Sequence, residues 1–303
     1  MISDQRLGIR VVALALLAVT TAGCGLPPLT PPTEQARPTA SARGSSPVTP
    51  STSPVATGLT IADAKRGAAN WLADHNRTVK DRDWWDDSSA IDRLFWDGTR
   101  HEAVIDRWAV KDGDRRKKRE AIRLTGHVYY VPREQTIPDG QWFLLQATYA
   151  GQDRPHILAF WRPEGGAFKL AAKSPLHHGQ RVPEPRRDAE GYVTAMPARI
   201  GKQVAQEYMV FWDYDRHDQE GRNGYRLAED NYSRRAYRTV SKGAYMGYQS
   251  YSRPYGFRTA DGGSFHVFCL LNDPQSISAV LTLGVSTRGK GNALHEIAAD
   301  WYA

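Results

Sequence analysis

The sequence is poor in cysteine and in long apolar runs, and each shortage excludes a class of protein. Cys24 and Cys269 are the only cysteines among 303 residues. That number excludes a fold held by several disulfides, and a structural zinc site built from thiolates is not expected. The longest apolar run, Val11 to Val19, is about half the roughly 20 residues that a membrane-spanning helix needs. A polytopic membrane protein is therefore not expected.

Motifs of the common catalytic sites are also missing. The sequence has no GxSxG, SxxK or HExxH motif, no P-loop and no dinucleotide-binding fingerprint. Basic residues exceed acidic ones by 40 to 33, but they are spread along the chain rather than concentrated as a nucleic-acid-binding face would require. We therefore expect no enzyme, no cofactor and no nucleic-acid partner.

The first 23 residues have the layout of an export signal. Arg6 and Arg10 precede the apolar run, and the small residues Thr20 to Gly23 follow it, directly before Cys24. This end resembles a bacterial lipobox, with Thr21 where leucine is usual, and the resemblance implies that the signal is removed and Cys24 lipidated. The prediction is a lipoprotein signal peptide at 1–23; an ordinary signal peptide with an incidental cysteine is the alternative.

The segment that follows the cysteine has the composition of a disordered tether. Residues 25–57 contain 8 prolines and 11 serines or threonines and no aromatic residue. Such a stretch buries too little apolar surface to offset the entropy lost on ordering. We predict a lipidated Cys24 and a disordered Pro/Ser/Thr-rich tether over 24–57, which places the folded body at the extracellular face of the cell membrane.

The remainder of the chain shows the same order of elements twice. A Thr60 to Asp63 capping pattern opens a helix, and strand-like runs follow at 121–131, 141–150, 155–162 and 166–173. A second helical stripe begins at Ile200, and strand-like runs follow near 237–247, 254–259, 263–271, 277–286 and 294–302. The prediction is an α+β fold of two tandem units, each a long helix packed on a curved antiparallel sheet, as in cystatin-like or nuclear-transport-factor-like cones. The first module spans 58–176, a linker 177–198, and the second module 199–303.

Four segments resemble a known family. They are GHVYYVPRE at 126–134, QWFLLQATY at 141–149, HILAFWRPEGGAFKL at 156–170 and RTADGGSFHVFCLL at 258–271. These pieces are similar to a group of actinomycete lipoproteins that share one uncharacterised domain of about this length. The resemblance covers most of 58–303 and implies a location and an architecture, without an activity.

A tyrosine-rich segment is the first candidate binding site. Aromatic faces beside polar donors suit glycan strands, although such residues are equally at home as half-buried strand positions. The candidate residues are Tyr245, Tyr248, Tyr251, Tyr255 and Arg253, with Tyr237 just before them.

Three further groups have weaker signals. Asp213, Asp215 and His217 alternate as metal ligands could, but the spacing is not that of a calcium loop, and a solvated helix end explains them as well. The pair His177 and His178 is expected to lie in a solvated linker. Cys269 lies in an apolar strand and is expected to be an inert core thiol.

The densest basic cluster is Lys111 to Arg119. Its five consecutive cations could meet anionic lipid headgroups or phosphates of a wall polymer, and a charged hairpin tip is the plainer interpretation.

Three functions are compatible with these features. The first is an exported, membrane-anchored lipoprotein that binds or scaffolds a cell-wall polymer or envelope protein without catalysis. The second is a small-ligand-binding or enzymatic cone domain with a pocket between helix and sheet. The third is a protein-partner module of an envelope complex that uses the tyrosine-rich segment.

Overall fold

The computed structural model describes residues 58–114, 119–137, 139–213, 216–239, 247–272 and 278–303. Within these ranges the α-helices are α1 (Ile61–Thr78), α2 (Ser88–Leu94), α3 (Asp97–Lys111), α4 (Ala198–Trp212) and α5 (Tyr232–Thr239). The strands of the first half are β1 (Leu124–Tyr130), β2 (Gln141–Tyr149), β3 (Pro155–Arg162) and β4 (Lys169–Pro175). The strands of the second half are β5 (Arg226–Leu227), β6 (Ser250–Tyr251), β7 (Tyr255–Arg258), β8 (Ser264–Leu271), β9 (Val280–Thr287) and β10 (Ala293–Tyr302).

Helix α1 forms as the sequence predicts. Thr60 accepts a hydrogen bond from the backbone N–H of Asp63 at 3.0 Å, and the Asp63 carboxylate accepts one from the backbone of Thr60, which completes a capping box. Ala64, Ala68, Trp71 and His75 form its buried stripe. The helix therefore presents one face to the first sheet.

The first sheet is an antiparallel meander in the order β1-β2-β3-β4. Its strands match the four predicted runs closely. The register shifts between Thr125 and Val128 and again between Ala159 and Phe160. Such irregularities bend a strand and increase its twist, so they help the sheet to curl around the helices.

The second sheet has the order β5-β10-β9-β8, and β6 and β7 share the remaining edge of β8. All pairs are antiparallel except β5 with β10. The predicted strand at 237–247 is wrong where the structure describes it, because α5 occupies Tyr232–Thr239. Asn231 starts this helix by accepting a hydrogen bond from the Ser233 backbone N–H at 2.9 Å.

Three apolar clusters hold these layers together. The first lies between the two sheets and joins residues such as Trp142 and Leu144 of β2 to Phe257 of β7 and Phe265 of β8. The second packs α1 and α2 on the other face of the first sheet, and the third packs α4 on the other face of the second. Each sheet is thus covered by a helix on one side and by residues of the other sheet on its second side.

The segment predicted as a linker is packed against both halves. Backbone bridges pair Pro132 with Val193 and Ala195 with Phe257, and Leu176 pairs with Ala298 of β10. The described ranges all fall in one compact unit. The two predicted modules are therefore two halves of a mixed α+β unit with a shared core.

Candidate functional site

Where the structure describes it, the tyrosine-rich segment does not form an exposed aromatic surface. Tyr248 and Tyr255 are fully buried. The Tyr255 hydroxyl donates a hydrogen bond to Asp97 Oδ2 at 2.6 Å, and the Tyr248 ring meets Trp212 edge-on at 6.4 Å. Tyr255 lies in β7 and Tyr248 lies just before β6. Both rings belong to apolar clusters of the core.

The other members of that segment are also engaged or lie outside the described residues. Tyr251 packs, partly buried, against the cluster under α4. The Arg253 guanidinium lies 4.5 Å from the ring of Trp161. Tyr245 falls outside the described residues. The described members of the predicted glycan-binding set are therefore not brought together on one exposed surface.

The alternating group at the end of α4 has a structural role where it is described. Asp213 pairs with Arg216 at 2.5 Å. His217 places Nδ1 2.7 Å from the carbonyl oxygen of Phe211, and its ring stacks on Tyr237 at 4.5 Å. Asp215 lies outside the described residues, and among the described ones no three His, Cys, Asp or Glu side chains are grouped to hold a metal ion.

The predictions for Cys269 and His177 have different outcomes. Cys269 is fully buried, its sulfur lies 3.2 Å from Thr282 Oγ1, and burial raises the pKa of the thiol to about 12. The buried position of Cys269 is as the sequence predicts, and its lack of reactivity stays a prediction that this burial supports. A solvated His177 is wrong: its Nε2 lies 2.9 Å from Glu296 Oε1, and its ring stacks on Tyr232 at 3.6 Å. Cys24 lies outside the described residues.

A cavity of about 810 Å³ opens between α1, the turn joining β2 to β3, the strand β4 and the end of β10. This volume lies within the range of small-molecule pockets. Its lining combines aromatic and charged side chains from both halves of the sequence. They include Trp71, His75, Phe95, Asp106, Arg119, Tyr149, His156, Lys173, Asp300 and Tyr302.

One wall of the cavity is aromatic and uncharged. The indole N–H of Trp71 donates to the Leu94 carbonyl at 2.7 Å, and the His75 ring lies 5.2 Å from the Trp71 ring. His156 meets Tyr149 edge-on at 4.6 Å. Burial lowers the pKa of both His75 and His156 to about 4, so both imidazoles are neutral at pH 7.

A buried ionic cluster lies next to these rings. Lys173 Nζ lies 3.1 Å from Glu102 Oε2 and 3.6 Å from Asp300 Oδ2. Glu102 is fully buried, and this burial raises the pKa of its carboxyl group despite the lysine. Burial opposes the charge of Lys173, but Glu102 and Asp300 outweigh it and raise the pKa of the ammonium group.

Arg119 completes this cluster beside the aromatic wall. Its Nε donates to Asp106 Oδ2 at 2.8 Å, and the guanidinium lies 4.6 Å from the ring of Phe95. The Tyr302 hydroxyl donates to the other oxygen of Asp106. The cavity therefore combines flat aromatic surface with fixed charges, an arrangement that can orient a polar organic molecule.

Comparison with known proteins identifies the family. A profile described as "Domain of unknown function (DUF8094)" matches residues 62–294. The chain belongs to this family. No curated protein matches it. This chain is also similar to a solved structure titled "Ntf2 like protein involved in plasmid conjugation". The alignment covers 71% of this chain and 93% of the chain in that structure, at 8% sequence identity and a TM-score of 0.21.

Helix α3, which supplies Glu102 and Asp106, was not among the elements predicted from the sequence. Both acids lie on the buried face of that helix, four positions apart. Charged residues at the spacing expected of an apolar stripe were the available signal. The sequence contains no such signal for Lys173, Asp300 and Tyr302. Each lies near the end of a strand, and only the fold determines which side chains it contacts.

Proposed function

We propose that the folded body is a binding module that holds a small organic ligand in the cavity of Trp71, Tyr149, Lys173 and Asp300. The observation that carries the proposal is the cavity itself, because it joins an aromatic wall to a buried ionic cluster. Small-molecule sites combine aromatic surface with polar groups that fix the orientation of the ligand, and this cavity has both.

The energetics of the ionic cluster support a role in binding. Buried ion pairs rarely stabilise a fold more than well-packed apolar residues would, because each charge loses its hydration. Glu102, Asp106 and Arg119 are nevertheless placed in the interior, next to a space that a ligand can enter. Charges held in this way are suited to orienting a ligand.

The proposal includes the location inferred from the sequence. We propose an exported lipoprotein of the actinomycete type, anchored through Cys24 and carrying its binding module on the tether of 24–57 at the outer face of the membrane. Two acyl chains would give a durable anchor. No helix of the described residues is both long and apolar enough to cross a bilayer. A wall polymer or an envelope protein remains the alternative partner, and catalysis in the cavity the alternative activity.

The repeated order of helix and sheet supports a further element of the proposal. We propose that the halves 58–176 and 199–303 are tandem cone units that have come to share one core. The helix α1 on the first sheet and α4 on the second are the matching elements.

Filling the cavity is expected to prevent ligand retention. Ile122 lines the cavity, and only its backbone is hydrogen-bonded, to the side chain of Asn76. The variant Ile122→Trp should keep those backbone bonds and place an indole in the space. We expect native mass spectrometry of the detergent-released full chain to show a retained small molecule in the wild type and at least about tenfold less of it in this variant.

The matched control for that experiment is Val128→Trp, which adds the same indole at an exposed position of β1 outside the cavity. It should retain ligand as the wild type does. The proposal fails if the wild type carries no small molecule, or if Ile122→Trp folds and retains it unchanged.

Removal of the lipidation site is expected to release the protein from the membrane. Cells producing Cys24→Ala should show the chain in the soluble envelope or medium fraction, whereas the wild type sediments with membranes, because one thioether-linked anchor supplies the attachment. Cys269→Ala, a buried thiol far along the chain, is the control and should leave fractionation unchanged. Persistence of Cys24→Ala in washed membranes would contradict the anchor.

A further inference from the structure

The described lining of the cavity has a net negative charge, whereas the chain as a whole has a net positive charge. The chain carries a formal charge of +7. The described residues of the cavity lining, in contrast, include four acids (Asp106, Glu120, Asp153, Asp300) and three bases (Arg119, Arg154, Lys173). The buried Glu102 adds a further acid behind the lining. Within the part of the lining that the structure describes, carboxylates therefore outnumber cations by one, whatever the protonation state of Glu102.

Two acids of the cavity, Asp106 and Asp300, are at least partly shielded from solvent, and Asp300 is the one with more capacity to accept hydrogen bonds. Asp106 already accepts hydrogen bonds from Arg119 and Tyr302. Asp300 has one ionic contact, with Lys173 at 3.6 Å, which is longer than a hydrogen bond. Its side chain is 29% exposed, against 4% for Asp106. A ligand that enters the cavity therefore meets Asp300 as an accessible acceptor.

The two buried cations are less available than this carboxylate. Lys173 lies closer to Glu102, at 3.1 Å, than to Asp300. Arg119 is hydrogen-bonded to Asp106 and lies over the ring of Phe95. An anionic ligand that took Lys173 from Glu102, or Arg119 Nε from Asp106, would leave a buried carboxylate without its partner. Arg119 Nη2 has no hydrogen-bond partner among the described residues, but that nitrogen is buried.

The aromatic wall also suits a positive group. The indole of Trp71 and the phenol of Tyr149 line the cavity, and the adjacent His75 and His156 are neutral at pH 7. The faces of aromatic rings attract a cation, most strongly where water is excluded. Neutral imidazoles do not oppose that attraction.

Resting on the proposed function, we propose that the ligand of this cavity carries a protonated amino group, which Asp300 receives, beside a flat ring that packs on the wall of Trp71 and Tyr149. The class is that of arylalkylamines. The amine supplies a positive charge that balances the excess of carboxylates in the described lining, and its N–H groups can bond to Asp300, whose contact with Lys173 is longer than a hydrogen bond.

Two probes of matched size and opposite charge test this class. Tyramine carries an ammonium group, and 3-(4-hydroxyphenyl)propionate carries a carboxylate on a similar ring and chain. Each probe is titrated into the full chain in detergent, and binding is measured by calorimetry or ligand-observed NMR. Tyramine should bind at least about tenfold more tightly than the propionate. Asp300→Asn should weaken tyramine at least about tenfold and leave the propionate unchanged or tighter.

The control is Glu164→Gln, which removes an exposed acid in a turn outside the cavity and should change the affinity for tyramine by less than about twofold. Equal or stronger binding of the propionate overturns the inference, as does tyramine binding that survives Asp300→Asn, or the binding of neither probe. Ligand retention that responds to Ile122→Trp would leave the proposed function standing in each of these cases, because that measurement does not depend on ligand charge.

Discussion

Replacing Lys173 by methionine is expected to lower the free energy of unfolding by about 3–5 kcal/mol. The substitution keeps the length of the side chain but removes the ammonium group that lies 3.1 Å from Glu102. Glu102 is fully buried, and its remaining cation, Arg119, is 3.8 Å away and already bound to Asp106. The carboxylate must then stay charged without sufficient compensation or take up a proton. Urea unfolding at pH 7, followed by fluorescence and circular dichroism, measures the loss.

A second substitution separates loss of the ion pair from loss of packing. Glu102→Gln added to Lys173→Met removes the stranded charge, and the double variant should recover at least about half of the lost stability. Lys202→Met, on the exposed side of α4, is the matched control and should change stability by less than about 0.5 kcal/mol. A single variant as stable as the wild type would show that the cluster does not depend on Lys173.

Replacing Asp97 by asparagine is expected to alter the pH dependence of stability. Burial raises the pKa of this carboxyl group from 3.8 to about 6, although Tyr255 donates a hydrogen bond to it. Because the pKa is higher in the folded state than in the unfolded state, the folded state binds this proton more tightly. The resulting contribution to the free energy of unfolding is complete below pH 3.8 and is lost as the pH rises through 6. In the wild type this loss is about 2 kcal/mol between pH 4.5 and 7.5, and the variant should not show it.

The backbone permits this test. Asp97 has a φ of +43°, in the left-handed region, where asparagine is among the few side chains tolerated. Its amide oxygen can accept the same hydrogen bond from Tyr255. Urea unfolding of both proteins at pH 4.5 and 7.5 gives the difference, and Glu164→Gln in an exposed turn is the control. Parallel pH profiles for wild type and Asp97→Asn would contradict the assignment.

Local patterns in the sequence were sufficient to predict most elements of the fold. The capping box at Thr60, the stripe along α1 and the four strands of the first sheet depend on neighbours within a few residues. Where the local pattern was ambiguous, it predicted the wrong element. The arginine- and tyrosine-rich stretch over Tyr232–Thr239 has strand-forming residues, and the cap supplied by Asn231 makes it a helix.

The cavity depends on contacts that no local pattern encodes. Lys173 of β4 and Asp300 of β10 are far apart in sequence, and only the packing of the two halves brings them within 3.6 Å. Tyr255 illustrates the reverse case, because its exposed role was inferred from polar neighbours and its hydroxyl instead meets Asp97, which lies far away in the sequence. Sequence therefore indicated the existence of a pocket between helix and sheet as one hypothesis, but not its residues.

The position of β10 has a consequence for folding. This strand lies inside the second sheet, and its residues Asp300 and Tyr302 line a cavity whose other walls come from the first half. A molecule seated there would touch both halves at once. Its binding free energy would then be added to the cohesion between the halves, so that occupancy would raise the stability of the unit as a whole and make its denaturation more cooperative.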